Sequence, residues 1–254
     1  TGTINVNNST HIGMYAEGPG NTVANGNIIN LNVNNSTGIY VKSGAVAELD
    51  AGNTIVFNGK SSVGVFAENA AVNFKDNLTF LNSNENKNIY VYGKGTTVGI
   101  DSGKIVTVNG VGTPVTVGNK TVGIYLENAG TGSTFTSNTT GQLIVQNEAV
   151  GIYSKGNNTL NVNVTAVGEK TTGVFIDGAS TITGTVTARG ASGVGAVGVY
   201  GSGGAVTIGA GGLALNTDTD KGTGMYLADG AYASGGKITV NNTATVDNIG
   251  VYYS

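Results

Sequence analysis

Apolar positions along this chain recur in short alternating runs. In Ala45-Val-Ala-Glu-Leu49, Thr54-Ile-Val-Phe-Asn58, Ala71-Val-Asn-Phe-Lys75, Ile105-Val-Thr-Val-Asn109 and Leu143-Ile-Val-Gln-Asn147, apolar side chains fall mostly at every second residue. That period places them on one face of an extended strand, and no stretch has the length or the 3.6-residue period of a helix. Gly, Asn and Asp cluster between the runs, as in Asp50-Ala-Gly-Asn53, Asp101-Ser-Gly103 and Gly209-Ala-Gly-Gly212. Chain reversal at such joints needs residues that tolerate positive φ.

The runs themselves repeat. A triplet of Gly, aliphatic and aromatic occurs at Gly13-Met14-Tyr15, Gly38-Ile39-Tyr40, Gly64-Val65-Phe66, Gly123-Ile124-Tyr125, Gly151-Ile152-Tyr153, Gly173-Val174-Phe175, Gly198-Val199-Tyr200, Gly224-Met225-Tyr226 and Gly250-Val251-Tyr252. Asn88-Ile89-Tyr90 fills the missing place, which makes the aromatic spacings 25, 26, 24, 35, 28, 22, 25, 26 and 26 residues. Each period also holds an alternating run that tends to end in Asn, and between the two a weaker third run. Three short strands and three bends per period predict an all-β chain. The fold class is a right-handed parallel β-helix (β-solenoid) of about ten coils of roughly 26 residues, three strands per coil. At ~4.8 Å per coil the rod is about 45 to 50 Å long. Residues 1–254 read as a single segment excised from something longer, because a cut solenoid end exposes a bare sheet edge.

Strict alternation directs the residues flanking each aromatic (Ile39 and Val41, Ile124 and Leu126) inward. The Gly, the aromatic and the residue two beyond (Glu17, Lys42, Glu68, Glu127, Lys155, Asp177) then share the outer face. This predicts an exposed column of stacked rings: Tyr15, Tyr40, Phe66, Tyr90, Tyr125, Tyr153, Phe175, Tyr200, Tyr226 and Tyr252. The recurring Gly leaves room for a ring to lie across the backbone.

Composition narrows the function classes. Gly is 43 of 254 residues and charged residues only 11%, with a formal net charge of −3. No Lys/Arg run offers a footprint for nucleic acid or an anionic membrane. With no Cys and one His, disulfides, thiolate chemistry and a zinc site are excluded, and no cofactor or metal is expected.

The catalytic strings are fragments. Asn216-Thr217-Asp218, with Asp220 nearby, matches a short polygalacturonase-like string, but the lone His11 and Arg189 both lie upstream of it. His11 has no Ser or Asp constellation around it. Gly193-Val-Gly-Ala-Val-Gly198 fits a dinucleotide fingerprint, yet it runs into the repeat strand at Val199-Tyr200 where a helix would be needed. The chain reads as non-enzymatic.

Ile12-Gly-Met-Tyr-Ala-Glu-Gly18, Thr37-Gly-Ile-Tyr-Val-Lys-Ser-Gly44 and Val122-Gly-Ile-Tyr-Leu-Glu-Asn128, spaced by Asn-rich strands, resemble the repeats of passenger domains of large fusobacterial-type (type V) autotransporter adhesins. The resemblance covers essentially the whole chain. It implies a surface-exposed adhesin segment, held at the outer membrane by a C-terminal β-barrel that these residues do not include. The implied partners are a host cell-surface protein or glycan, or partner bacteria, with the segment itself monomeric. The alternatives are a structural spacer that binds nothing and, more distantly, a polysaccharide-active β-helix.

Binding sites on solenoids usually sit where the repeat is interrupted. The 35-residue spacing contains an insertion near 110–119, which makes Val111, Thr113, Pro114, Val115 and Asn119 candidate partner-binding residues. A smaller expansion is read at Gly130 to Gly141. The ring column supplies the other candidates, Tyr90, Tyr125 and Tyr153, since exposed rings can stack on sugar faces or anchor a protein.

Overall fold

The computed structural model describes residues 2–24, 26–50, 54–82, 87–110, 120–190, 195–218, 221–243 and 248–254. They form a parallel β-solenoid of three faces. The ring face is one ten-stranded parallel sheet made of Ile12–Glu17, Thr37–Lys42, Val63–Glu68, Ile89–Lys94, Val122–Glu127, Val150–Lys155, Thr172–Asp177, Val197–Ser202, Thr223–Ala228 and Ile249–Tyr253. All its neighbours pair in parallel and in register, so equivalent positions of successive coils form straight columns. The other two faces are separate at the N-terminal end, where Thr3–Val6, Ile28–Leu31, Thr54–Phe57 and Leu81–Asn82 make a four-stranded sheet. Toward the C-terminal end they merge, because Asn158–Val167, Ser180–Arg189 and Ala205–Thr217 are long strands that serve both.

The interior is filled from all three faces by fully buried side chains, among them Ile39 and Val41 from the ring face, Leu49 and Phe74 from the second, and Ile29, Leu31 and Phe57 from the third. At the corners, small polar side chains take over backbone pairing. The Ser62 hydroxyl accepts from the Ser36 amide at 3.2 Å, and Asn88 Oδ1 accepts from the Ser62 amide at 3.0 Å. A second corner repeats the device with Ser133 and Asn158, whose side chains accept from the Thr96 and Ser133 amides. Buried backbone donors that the bend removes from the ladder are thereby satisfied.

Two sequence expectations are corrected here. The ring-face strands show two consecutive inward positions, and the repeated Gly is one of them. A Cβ at Gly38, Gly64, Gly151 or Gly198 would stand 2.6 Å from a carbonyl oxygen of the next coil. At Gly151 it would also lie 2.4 Å from Val145 Cγ2. The Gly is therefore there for close approach of coils and for third-face side chains, not to bed a ring on the outer surface.

The second correction concerns Tyr90. Ile89 pairs with Val63 and Val122, and Tyr92 pairs with Phe66 and Tyr125. Tyr90 thus falls at a Gly position and points inward. It is fully buried, stacked on Phe80 at 4.2 Å and Phe57 at 5.3 Å, and its hydroxyl donates to the Asn109 carbonyl at 2.8 Å. Tyr92 takes the outer place.

Candidate functional site

The outer side of the ring sheet carries three parallel columns. The middle one is an unbroken stack of ten rings: Tyr15, Tyr40, Phe66, Tyr92, Tyr125, Tyr153, Phe175, Tyr200, Tyr226 and Tyr252. From Tyr92 to Tyr226 neighbouring rings are within 13° of parallel, with centroids 4.8 to 5.1 Å apart. The first two pairs are edge-to-face, and Tyr15 is 50% exposed. Most other rings are half-buried because each is covered by its neighbours. The outward direction read from the sequence holds for every ring except Tyr90. Their availability differs from that reading, since face-to-face stacking consumes the ring faces and leaves edges toward solvent. A sugar cannot lie flat on an inner ring of the stack.

On the C-terminal side of the rings stands a column of charge whose sign alternates coil by coil: Glu17, Lys42, Glu68, Lys94, Glu127, Lys155 and Asp177, followed by Ser202. In-register parallel stacking brings equivalent side chains within about 5 Å, where like charges repel and opposite ones attract. Lys42 pairs with Glu17 at 3.2 Å, Lys94 with Glu68 at 3.5 Å and Lys155 with Glu127 at 3.7 Å. Ring hydroxyls lean onto the same column. Tyr15 donates to Glu17 at 2.5 Å, Tyr40 to Glu68 at 3.0 Å, Tyr153 to Asp177 at 2.8 Å, and Tyr92 to Glu127. The Tyr15 hydroxyl, and after it Lys42, holds the Glu17 carboxyl below its usual range. Burial in the stack, reinforced by the acceptor carboxylates, raises the phenols of Tyr40, Tyr92 and Tyr153.

On the N-terminal side runs the third column: Ile12, Thr37, Val63, Ile89, Val122, Val150, Thr172, Val197, Thr223 and Ile249, all β-branched. The sequence reading missed it, because strict alternation from the aromatic sends this position inward. The doubled inward step at the Gly turns it out again. The readable signal was the β-branched residue before each Gly.

At Val122, Val150 and Thr172 this column is the floor of a groove. The groove has a volume of about 420 Å³ and is lined by Val122, Val150, Thr172, Tyr153, Phe175, Tyr200 and Lys120. Val150 and Thr172 are nearly covered, at 6% and 7% exposure. The Lys120 ammonium donates to the Lys170 carbonyl. Burial lowers its pKa, nearby Glu148 works against that, and Lys170 adds to it.

Of the residues selected from sequence, Tyr125 and Tyr153 are stacked neighbours on this face, 4.9 Å apart and 3° from parallel. Tyr90 is in the core. Val111, Thr113, Pro114, Val115 and Asn119 lie outside the described residues, whose nearest described flanks are Gly110 and Lys120. The expansion at Gly130 to Gly141 is an ordinary rung: Thr134–Ser137 joins the second face and Phe135 is buried.

The catalytic strings fare no better as sites. Asp218 is in an ion pair with Arg189 at 2.8 Å, Asp220 lies outside the described residues, and His11 is exposed. Among the described residues no three His, Cys, Asp or Glu side chains gather where they could hold a metal. No protein-family profile, curated protein or solved structure matches the chain.

Proposed function

We propose that this chain is a stretch of a bacterial surface adhesin of the autotransporter passenger kind, and that it works by contact along the ring face. The supporting observation is the outer stripe formed by the ring and β-branched columns, which spans ten coils and is most open at its two ends, at Ile12, Tyr15, Ile249 and Tyr252. A solenoid needs apolar side chains inside; rings and β-branched side chains ranked along its outside have no role in filling that core and suit a partner. Low overall charge and the satisfied charge column at its edge keep the face free of long-range repulsion. The resemblance of Thr37-Gly-Ile-Tyr-Val-Lys-Ser-Gly44 and its fellows to passenger repeats supplies the cellular setting: an outer-membrane-anchored or secreted protein meeting host cells, glycans or other bacteria.

A second reading has an observation in its favour. The inner rings spend their faces on one another, and four hydroxyls are bound by carboxylates, so part of this face is self-satisfied, as a stiff spacer requires. Attachment of host cells and of partner bacteria to the immobilised chain separates the two. In the contact reading, saturable attachment is expected, and Val63→Lys or Val197→Lys on the stripe abolishes it with circular dichroism unchanged. Deleting residues 111–119 tests the insertion independently. No attachment by the intact, folded chain overturns the contact reading in favour of the spacer.

A further inference from the structure

We propose that the ring face pairs with the same face of a second copy of the chain, antiparallel, about a two-fold axis between the coils of Lys94 and Glu127. The inference rests on the reading of this face as a contact surface and names its partner; it departs from the monomer expected from sequence.

Spacing points to a second copy. A partner covering many coils must present side chains at the 4.8 to 5.1 Å interval of the stacked rings, without drift. Another parallel solenoid of this chain keeps that interval by construction, since both are set by the inter-strand distance of about 4.8 Å.

Column order then selects the orientation. Across the face the order is β-branched, ring, charge. A two-fold axis parallel to the solenoid reverses that order in the facing copy. The charged column would then be laid on the β-branched one and desolvated against apolar side chains. A two-fold axis lying in the interface and perpendicular to the solenoid keeps the order and runs the copies antiparallel. Apolar then meets apolar and charge meets charge, as an isologous interface requires.

Sign and overlap together select the register. An axis through a coil sets like against like: centred on Lys94, it brings Lys94 onto itself, Glu68 onto Glu127 and Lys42 onto Lys155. An axis midway between any two neighbouring coils opposes only opposite or neutral groups, and the one between Lys94 and Glu127 keeps three opposite-sign oppositions over eight coils, where the next such axis toward the N-terminus overlaps six coils and the next toward the C-terminus keeps two. Lys94 faces Glu127 of the second copy, Glu68 faces Lys155, Lys42 faces Asp177, and Glu17 faces the uncharged Ser202. In the same register the most exposed N-terminal part of the stripe, Ile12 at 44% and Tyr15 at 50%, comes opposite Val197 and Tyr200, at the end of the groove beside Tyr153 and Phe175. Eight coils overlap, and six residues of strand at ~3.3 Å each by ~4.8 Å per coil give facing areas on the order of 800 Å² per copy, the size of a standard stable interface.

The test uses the chain as it stands. Sedimentation velocity from micromolar to submillimolar concentration is expected to show a species of twice the 25.4 kDa monomer mass. Val63→Lys is expected to weaken it at least tenfold, and Thr207→Lys, outward on another face, to leave it unchanged. Should Val63→Lys fail to fold, cross-linking carries the test, because the chain has no Cys of its own. Lys42→Cys and Asp177→Cys chains are mixed and treated with a bismaleimide spanning about 10 Å, the separation of facing sheets. Cross-linking of the mixture, with neither variant linking to itself, is the expected result. A monomer at every concentration, or Lys42→Cys linking to itself, overturns the proposal. Cell attachment by a strictly monomeric chain overturns the pairing and leaves the contact reading intact; pairing without attachment does the reverse.

Discussion

Replacing Tyr90 by Gly gives the strand Ile89–Lys94 the residue that Gly64 and Gly123 supply in neighbouring coils, so by pattern alone Tyr90→Gly is a consensus repair. The structure gives the opposite sign. The Tyr90 ring is fully buried between Phe57 and Phe80, and its hydroxyl donates to the Asn109 carbonyl at 2.8 Å. Emptying an aromatic-sized site costs about 3–5 kcal/mol, counting transfer and residual cavity together. The greater backbone freedom of Gly in the unfolded chain adds about 0.5–1 kcal/mol. Tyr90→Gly should therefore destabilise by about 3.5–6 kcal/mol. Tyr90→Phe keeps the ring and loses one buried hydrogen bond, about 1 kcal/mol. On the outer face, Tyr92→Phe removes only the hydroxyl that reaches Glu127 at a half-exposed position, and should cost less than Tyr90→Phe. The assay is urea unfolding followed by circular dichroism, with midpoints compared at constant slope. A Tyr90→Gly chain within about 1 kcal/mol of the parent would refute the register that places Tyr90 inside and Tyr92 outside.

Gly151→Ala puts a Cβ 2.4 Å from Val145 Cγ2 and 2.6 Å from the Gly173 carbonyl, and should cost about 1–3 kcal/mol by calorimetry. Gly168→Ala, where φ is +88° and nothing lies within 4 Å, should cost only about 1 kcal/mol of backbone strain. Equal effects would refute the close-approach account of the repeat. Lys94→Glu makes a run of three acidic side chains with Glu68 and Glu127 on either side. It should cost about 1 kcal/mol at low ionic strength, read as a lowered thermal midpoint, with most of the loss recovered in ~1 M salt. A salt-independent loss would remove charge alternation as its cause. Burial, with help from nearby carboxylates, raises the phenols of Tyr40, Tyr92, Tyr125, Tyr153 and Tyr200 above the ordinary 10.0. The folded state thus favours the neutral ring, so this stabilisation is complete below about pH 10 and is lost as pH rises through the raised folded values. Tyrosinate absorbance for these rings should lag behind free tyrosine and complete its rise only as the dichroism collapses. A full rise near pH 10 with the sheet intact would contradict the stack.

The repeat length, the three strands per coil, the parallel stacking and the outward ring column were all legible in the sequence. Each follows from local periodicity, and a parallel solenoid copies one coil's side-chain directions onto the next. The alternating signs from Glu17 to Asp177 were equally readable as letters. Their meaning was not, because only in-register pairing turns a 26-residue spacing into a 5 Å one. Tyr90 and Tyr92 show where local reading fails: both are aromatic, two residues apart, and nothing in Asn88-Ile-Tyr-Val-Tyr-Gly93 says which stands over Phe66. Packing decided it, since the interior next to Phe57 and Phe80 accepts a ring and a carbonyl at Asn109 accepts its hydroxyl. The β-branched column was hidden for a related reason. The doubled inward step at each Gly breaks the period of two, and that break is imposed by the approach of the next coil's carbonyl oxygen, a contact that exists only once the coils are stacked.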